Sequence, residues 1–243
     1  MKINHYIIIR FSHSYFNKEL CSFVNFLSVE RLQKKLDFFK KTCYKSLMKQ
    51  TEKNFKIFVF VHNDCPVEIF QQLQELNIEI KKGRLEDVEL DTNCTHIITT
   101  RMDDDDMLHK DAVKQIQDCC KEKTKLKVCG FKNGVTWNVK ENTYAQYWRK
   151  CDIGFIGIGE SLISDVKFYK QTGFHIFSFA PSIIRTEIIK KSFNPEWQII
   201  QNIFPSFIYS RYSDQSSMHI KGWVKRTHFS KNTVEKKIIK KYF

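Results

Sequence analysis

Four consecutive aspartates, Asp103, Asp104, Asp105 and Asp106, follow the run His96 to Thr100 (HIITT) and the pair Arg101-Met102. In an extended segment alternate side chains share a face, so Asp103 and Asp105 would point one way, Asp104 and Asp106 the other. Two carboxylates on one face, at the carboxyl end of a strand, form a hard-oxygen site suited to Mg²⁺ or Mn²⁺. Such an ion takes one or two protein carboxylates and completes its shell with water and substrate phosphate oxygens. The competing reading is an acidic helix N-terminus, worth roughly 0.3–1 kcal/mol per acid. That accounts for one or two acids. It does not account for four adjacent like charges.

The elements that must hold these acids alternate. Tyr6 to Ile9 reads as a buried strand. Leu32, Leu36, Phe39, Cys43 and Leu47 make one helical stripe. Phe55 to Val61 is a second strand, after which Asp64 can cap a helix with Pro66 early in it and Val67, Phe70, Leu73 and Leu76 facing inward. Ile78 to Ile80 is a short strand, and His96 to Thr100 the strand that delivers the acids. Leu108, Ala112, Val113, Ile116, Cys119 and Cys120 form another helical stripe before a strand at Leu126 to Phe131. This order predicts an α/β fold, a mostly parallel sheet with helices on both faces and an α+β second half that closes a cleft. Ligands of such sheets bind at the carboxyl ends of the strands. Tyr144, Tyr147 and Trp148 have helical spacing, as a sugar-stacking platform or as core.

The chain has 243 residues, 42% of them hydrophobic and 21 of them Phe, enough for a substantial core. With 8 Gly and 4 Pro it is neither collagen-like nor linker-rich. The expected organisation is a single domain over 1–220, with a first half (1–131) and a second half (132–220), then a basic extension over 221–243. The net charge is +13, of which the extension carries +7, with Glu235 its one acid. A surplus of that size favours anionic partners. In the extension Val234, Ile238, Ile239 and Tyr242 fall on one side of a helix. Two readings follow: peripheral contact with an acidic membrane surface, or a terminal helix packed on the domain. The eight cysteines lack metal-ligand spacing and read as reduced cytoplasmic thiols. The run Tyr6 to Ile9, cut by Arg10, is too short for a signal peptide or a membrane span, so a cytoplasmic location is expected.

The stretch TTRMDDDDMLHKDAV (Thr99 to Val113) resembles the T-T-R-hydrophobic-D-x-D-D segment of the rhamnosyltransferase family, nucleotide-sugar-dependent enzymes of the GT-A fold with a DXD motif. IIIRFS (Ile7 to Ser12) is similar to that family's opening strand. The run from Arg31 to Pro66 is similar to its helix, second strand and acidic-Pro turn. The resemblance implies that Asp103 contacts the nucleotide ribose or the metal. It implies that Asp105 is the main ligand of Mn²⁺ or Mg²⁺, and that Asp106 supports the site or touches the donor sugar. Asp64 matches an acid that reads the nucleobase edge. His62 stands where the family often has an acid, so Asn63 is a candidate to share that role.

Arg10 and Arg101 suit a phosphate or donor-sugar contact, since a guanidinium pairs bidentately with such anions; the alternative is a salt bridge to the neighbouring aspartates. Breaking a sugar–diphosphate bond builds charge on the leaving phosphate, which a cation stabilises, and the acceptor hydroxyl needs a base. Candidate bases are Asp214, Asp165 and Glu160, with Asp214 preferred and His219 as a further metal or diphosphate contact. The expected activity is transfer of a sugar, with rhamnose suggested by the resemblance, to a glycan or lipid-linked glycan. The alternatives are a metal-dependent nuclease or nucleotidyltransferase, or a non-catalytic nucleotide-sugar-binding relic. The cations cluster in the tail rather than among aromatics around the acids, so no nucleic-acid partner is expected.

Overall fold

A computed structural model describes residues 1–12, 26–83, 85, 88–147, 157–178, 188, 191–201, 205–211 and 229–243. The first half runs β1 (Ile3–Phe11), α1 (Val29–Phe39), a π turn (Lys40–Tyr44), α2 (Lys45–Met48), β2 (Lys56–Val61), α3 (Val67–Gln74), β3 (Glu79–Lys82) and β4 (His96–Asp103). It continues with β5 (Met107–Leu108), α4 (Ala112–Asp118) and β6 (Leu126–Phe131). The second half adds β7 (Val135–Asn138), β8 (Thr143–Tyr147), β9 (Ser161–Asp165), α5 (Val166–Thr172) and a 3₁₀ turn at Ile176–Ser178. β10 (Glu196–Ile200), β11 (Phe207–Arg211), β12 (Phe229–Thr233) and α6 (Lys236–Tyr242) complete it.

A strand covered on both faces must read as a continuous apolar run, and Tyr6 to Ile9 and Ile57 to Val61 are buried throughout. They lie in a 7-stranded sheet of order β10-β6-β9-β4-β1-β2-β3. β9 runs antiparallel to both its neighbours, and every other pair in that sheet is parallel. The mostly parallel α/β sheet expected from the sequence is the one formed. A 5-stranded sheet, β12-β8-β7-β11-β5, lies beyond it. Its strand β5 follows directly on the acidic turn and pairs with β11 through Met107 and Leu108.

The stripe Leu32, Leu36, Phe39, Cys43 and Leu47 is fully buried. Steps of four overshoot an α-helical turn, and the wider π turn at Lys40–Tyr44 brings Cys43 and Leu47 back to the same face. Other expectations shift. The helix expected to start from Asp64 has Pro66 at its N-cap and buries Ile69 and Leu73, leaving Val67 exposed. Leu108, expected on a helix, is in β5. Tyr144 and Tyr147 are on strand β8, and Trp148 lies outside the described residues. Tyr147 packs edge-on against Phe207 in the main core, whereas Tyr144 stacks on Trp137, which stacks on Phe38.

The segment expected to be a basic extension contributes to the fold. β12 pairs with β8, and Ile239 of α6 is buried with Met107, Val135 and Ile208, with Val234 and Phe243 packed alongside. The helix therefore lays Ile239 on the second sheet. Residues 221–228 of that segment lie outside the described residues.

Candidate active site at the carboxyl ends of β1 and β4

β1 and β4 run parallel with Arg10 opposite Asp103, so both side chains arrive at the carboxyl end of the sheet. Arg10 Nη2 lies 2.6 Å and Nε 3.1 Å from the same oxygen, Asp103 Oδ1. Desolvation by the surrounding protein opposes ionisation of Asp103. The Arg10 charge and its hydrogen bonds outweigh that effect and hold the carboxyl below its ordinary range. The pair is half-exposed, with 30% of the Arg10 side chain and 47% of that of Asp103 open to solvent.

The extended run expected through the four acids is not formed. β4 ends at Asp103, and the Asp106 N–H donates to the Asp103 carbonyl (3.3 Å) to close a turn. The alternation that would put Asp103 and Asp105 on one face therefore breaks, because the chain must reverse to enter β5. Each acid meets a different surrounding. Asp104 is buried and accepts from Lys35 Nζ of α1 (2.8 Å) and from the Ser12 N–H (3.2 Å). Burial raises its pKa against the pull of Lys35. Asp106 is buried, and Oδ1 has no hydrogen-bond partner. Burial first, then the charges of Asp105 and Asp103, push its pKa well above the ordinary value. Asp105 is buried beside it.

A buried carboxylate oxygen without a partner, its pKa raised by burial and then by neighbouring carboxylates, is what a divalent cation would relieve. Among the described residues no three His, Cys, Asp or Glu side chains converge to hold a metal. An ion here would be bound by one or two carboxylates and completed by substrate oxygens, the coordination Mg²⁺ commonly takes. Asp105 and Asp106 are the residues that fit, with half-exposed Asp103 at the rim.

Arg101 stands apart from the aspartates. It is buried, donates from Nη2 to the Ile176 carbonyl (2.6 Å), lies 3.6 Å from Glu160 and covers the Phe177 ring at 4.7 Å. Burial lowers its pKa to about 10, with Glu160 opposing. Phe177 also receives Arg10 at 5.9 Å, so one ring links the two guanidiniums. Glu160 is buried, with neither carboxylate oxygen hydrogen-bonded, and burial raises its pKa to about 7 against the Arg101 charge.

The Glu160 segment is fixed from behind. The Gln117 amide N–H donates to His5 Nδ1 (3.3 Å), so His5 carries its proton on Nε2 and donates to Thr100 Oγ1 (2.7 Å). The Thr100 hydroxyl then donates to Ser161 Oγ (2.7 Å), and Ser161 to the Gly159 carbonyl (3.0 Å). Gly159 has a positive φ of 69°, and a Cβ there would lie 2.9 Å from the Phe131 ring.

Of the other sequence candidates, Asn63 and Asp64 are exposed past the carboxyl end of β2, on the same end of the sheet as Arg10. Asp64 donates its N–H to His62 Nδ1 (3.1 Å). Asp165 pairs with His96, at the amino end of β4, and its side chain caps α5 by accepting from the Phe168 N–H (2.6 Å). The length of β4 separates it from the acidic turn, so the structure does not bring it to the site. Asp214 and His219 lie outside the described residues. Lys35 and Phe177 carry no local signal in the sequence, because their partners are distant in the chain.

The family model described as "Putative rhamnosyl transferase" matches residues 24–181, more than half of the chain. The chain belongs to this family. Among curated proteins no sequence matches it. Among solved structures it is similar to S. aureus TarS at 12% identity and a TM-score of 0.45, over 87% of this chain and 37% of that one. The chain thus spans well under half the length of TarS. It is also similar to the inositol-1-phosphate CTP transferase from T. maritima, at 11% identity and a TM-score of 0.43, over 84% of this chain and 88% of that one.

Proposed function

We propose that the chain is a metal-dependent glycosyltransferase that moves a sugar from a nucleotide-diphosphate donor to a hydroxyl of a glycan or glycolipid. The observation that carries this reading is the acidic turn at the carboxyl ends of β1 and β4 in a member of this family. Asp105 and Asp106 would hold Mn²⁺ or Mg²⁺, with Asp103 at the rim. Bound there, the ion supplies Lewis-acid stabilisation of the charge that develops on the leaving diphosphate.

The chain's own groups do the remaining work. Arg10 keeps Asp103 ionised, and its exposed side suits a diphosphate oxygen. Asp64 and Asn63 suit the edge of the nucleobase. Arg101, buried against Glu160 and Phe177, supports this wall without reaching a ligand. Asp214 is the proposed base that takes the acceptor proton, and His219 a proposed further diphosphate contact; Asp165 has no part. Rhamnose is the proposed sugar, by family membership.

A thermal-shift panel of nucleotide sugars with Mn²⁺ tests this. A ligand at 100 times its Kd stabilises by about 2.7 kcal/mol, so the true donor stands out. Asp105→Ala should abolish transfer and keep the fold. Turnover at the original rate in that variant would refute the assignment.

A further inference from the structure

Two lysine-rich helical segments meet on one side of the molecule. The stretch from Lys40 to Lys49 contains Lys40, Lys41, Lys45 and Lys49 with no acid, and the stretch from Lys236 to Phe243 contains Lys236, Lys237, Lys240 and Lys241 with no acid. Lys49 Nζ hydrogen-bonds the Phe243 carbonyl, which joins the end of α6 to α2. Lys41, Lys45 and Lys49 are spaced by four and are exposed, as are Lys236, Lys237, Lys240 and Lys241. Glu235 meets this surface from the start of α6 and pairs with Lys237 at 2.7 Å. That contact neutralises one cation and leaves a strong surplus.

We infer that this composite face, α6 together with the Lys41–Lys45–Lys49 row, docks the protein on an anionic lipid surface without inserting into it. Insertion through this helix is opposed because Ile239 is turned inward and buried with Met107, Val135 and Ile208. What remains outward is charge, which adds across a headgroup plane and needs no fixed geometry. The cation type argues against sequence readout of a nucleic acid. All seven are lysines, point charges suited to a diffuse anionic plane, whereas bidentate recognition of bases favours the planar fork of arginine. Among the described residues Trp137 offers no open platform for a base either, since it is stacked between Phe38 and Tyr144. The placement fits the proposed function on which it builds. Ile239 shares a buried cluster with Met107, the residue after Asp106, so docking through α6 would hold the acidic turn on the side of the plane that presents a lipid-linked acceptor.

The test is sedimentation of the full chain with vesicles of phosphatidylcholine alone or with 30% phosphatidylserine. Binding is expected only to the anionic vesicles and should fall with salt. Replacing Lys41, Lys45, Lys236 and Lys240 with Ala should weaken it by at least about 100-fold, at about 1 kcal/mol per lysine. A control set, Lys121, Lys123, Lys167 and Lys170 to Ala, lies elsewhere on exposed surface and should change it little. Four outcomes overturn the inference: no binding to anionic vesicles, equal binding to neutral ones, equal loss in the control set, or competition by duplex DNA stronger than vesicle binding. Transfer to a soluble acceptor, measured in parallel, should be unchanged in the patch variant. If that activity is absent from the unaltered protein while vesicle binding persists, the proposed function fails and the docking surface stands.

Discussion

Glu160 lies 3.6 Å from Arg101, both are almost wholly buried, and yet neither oxygen of the carboxylate is hydrogen-bonded. Two effects compete. Stranding one member of a buried ion pair costs roughly 3–5 kcal/mol, but burying a carboxylate disfavours its charge, and here burial prevails, raising the pKa to about 7. The folded state therefore binds the proton more tightly than the unfolded chain does. The stabilisation from the protonated form is complete below the unfolded value of about 4.5 and is lost as pH rises through about 7. The span is roughly 3 kcal/mol.

Glu160→Gln mimics the protonated form. The stability difference between this variant and the unaltered protein, read by urea denaturation, should swing towards the variant by roughly 3 kcal/mol between pH 4.5 and pH 8. Taking the difference cancels His5. Burial lowers the His5 pKa to about 3, so its contribution has the opposite sense, present above pH 6.5 and lost as pH falls. A variant less stable than the original by 3–5 kcal/mol at pH 8 would mean that the ion pair dominates.

The elevated Asp106 pKa predicts a pH-dependent response to divalent cations. A carboxyl must release its proton to bind a metal, so Mn²⁺ should raise Tm more at pH 7.5 than at pH 5. Asp106→Ala should abolish that difference. Isothermal titration with Mn²⁺ alone checks it, and an unchanged affinity in the variant would remove Asp106 from the ligand set.

Asp104 reads as a strut, tied to α1 by Lys35 and to the end of β1 by Ser12. Lys35→Met leaves a buried carboxylate without its cation and should cost about 3 kcal/mol. Lys35→Met combined with Asp104→Leu should recover most of that loss, since an apolar pair can replace a buried ion pair. Double-mutant denaturation measures it; additive losses would show that the two residues do not act as a pair.

Two glycines with similar backbone angles should respond differently to alanine. Gly159 and Gly173 have φ of 69° and 62°, but a Cβ at Gly173 meets nothing within 4 Å, whereas at Gly159 it falls 2.9 Å from Phe131. Gly173→Ala should cost about 1 kcal/mol from the left-handed conformation alone. Gly159→Ala should cost roughly 2–4 kcal/mol, with crowding added. Equal Tm shifts would contradict this.

Much of the sheet was readable in advance because local pattern suffices for a doubly covered strand. Leu126–Phe131 has the bounds its apolar run suggests. Leu108 misled because its spacing to Ala112 and Ile116 is helical, while its partner, Phe207, sits far along the chain. Tyr144 and Tyr147 misled in the same way: their separation suits a helix face, but on β8 it puts one ring on each side of the sheet.

Composition and periodicity alone established a mostly parallel sheet, a run of acids at the end of one of its strands, and a basic carboxyl-terminal segment with one apolar side. They left open which cation each acid meets. Folding assigned Arg10 to Asp103, Lys35 to Asp104 and Arg101 to Glu160, left Asp106 with an unpartnered oxygen, and laid α6 on the second sheet. The reason is that spacing along a chain reports which side of an element is apolar, whereas ion pairs form between elements whose neighbours are fixed by strand order. That order is a property of the assembled sheet.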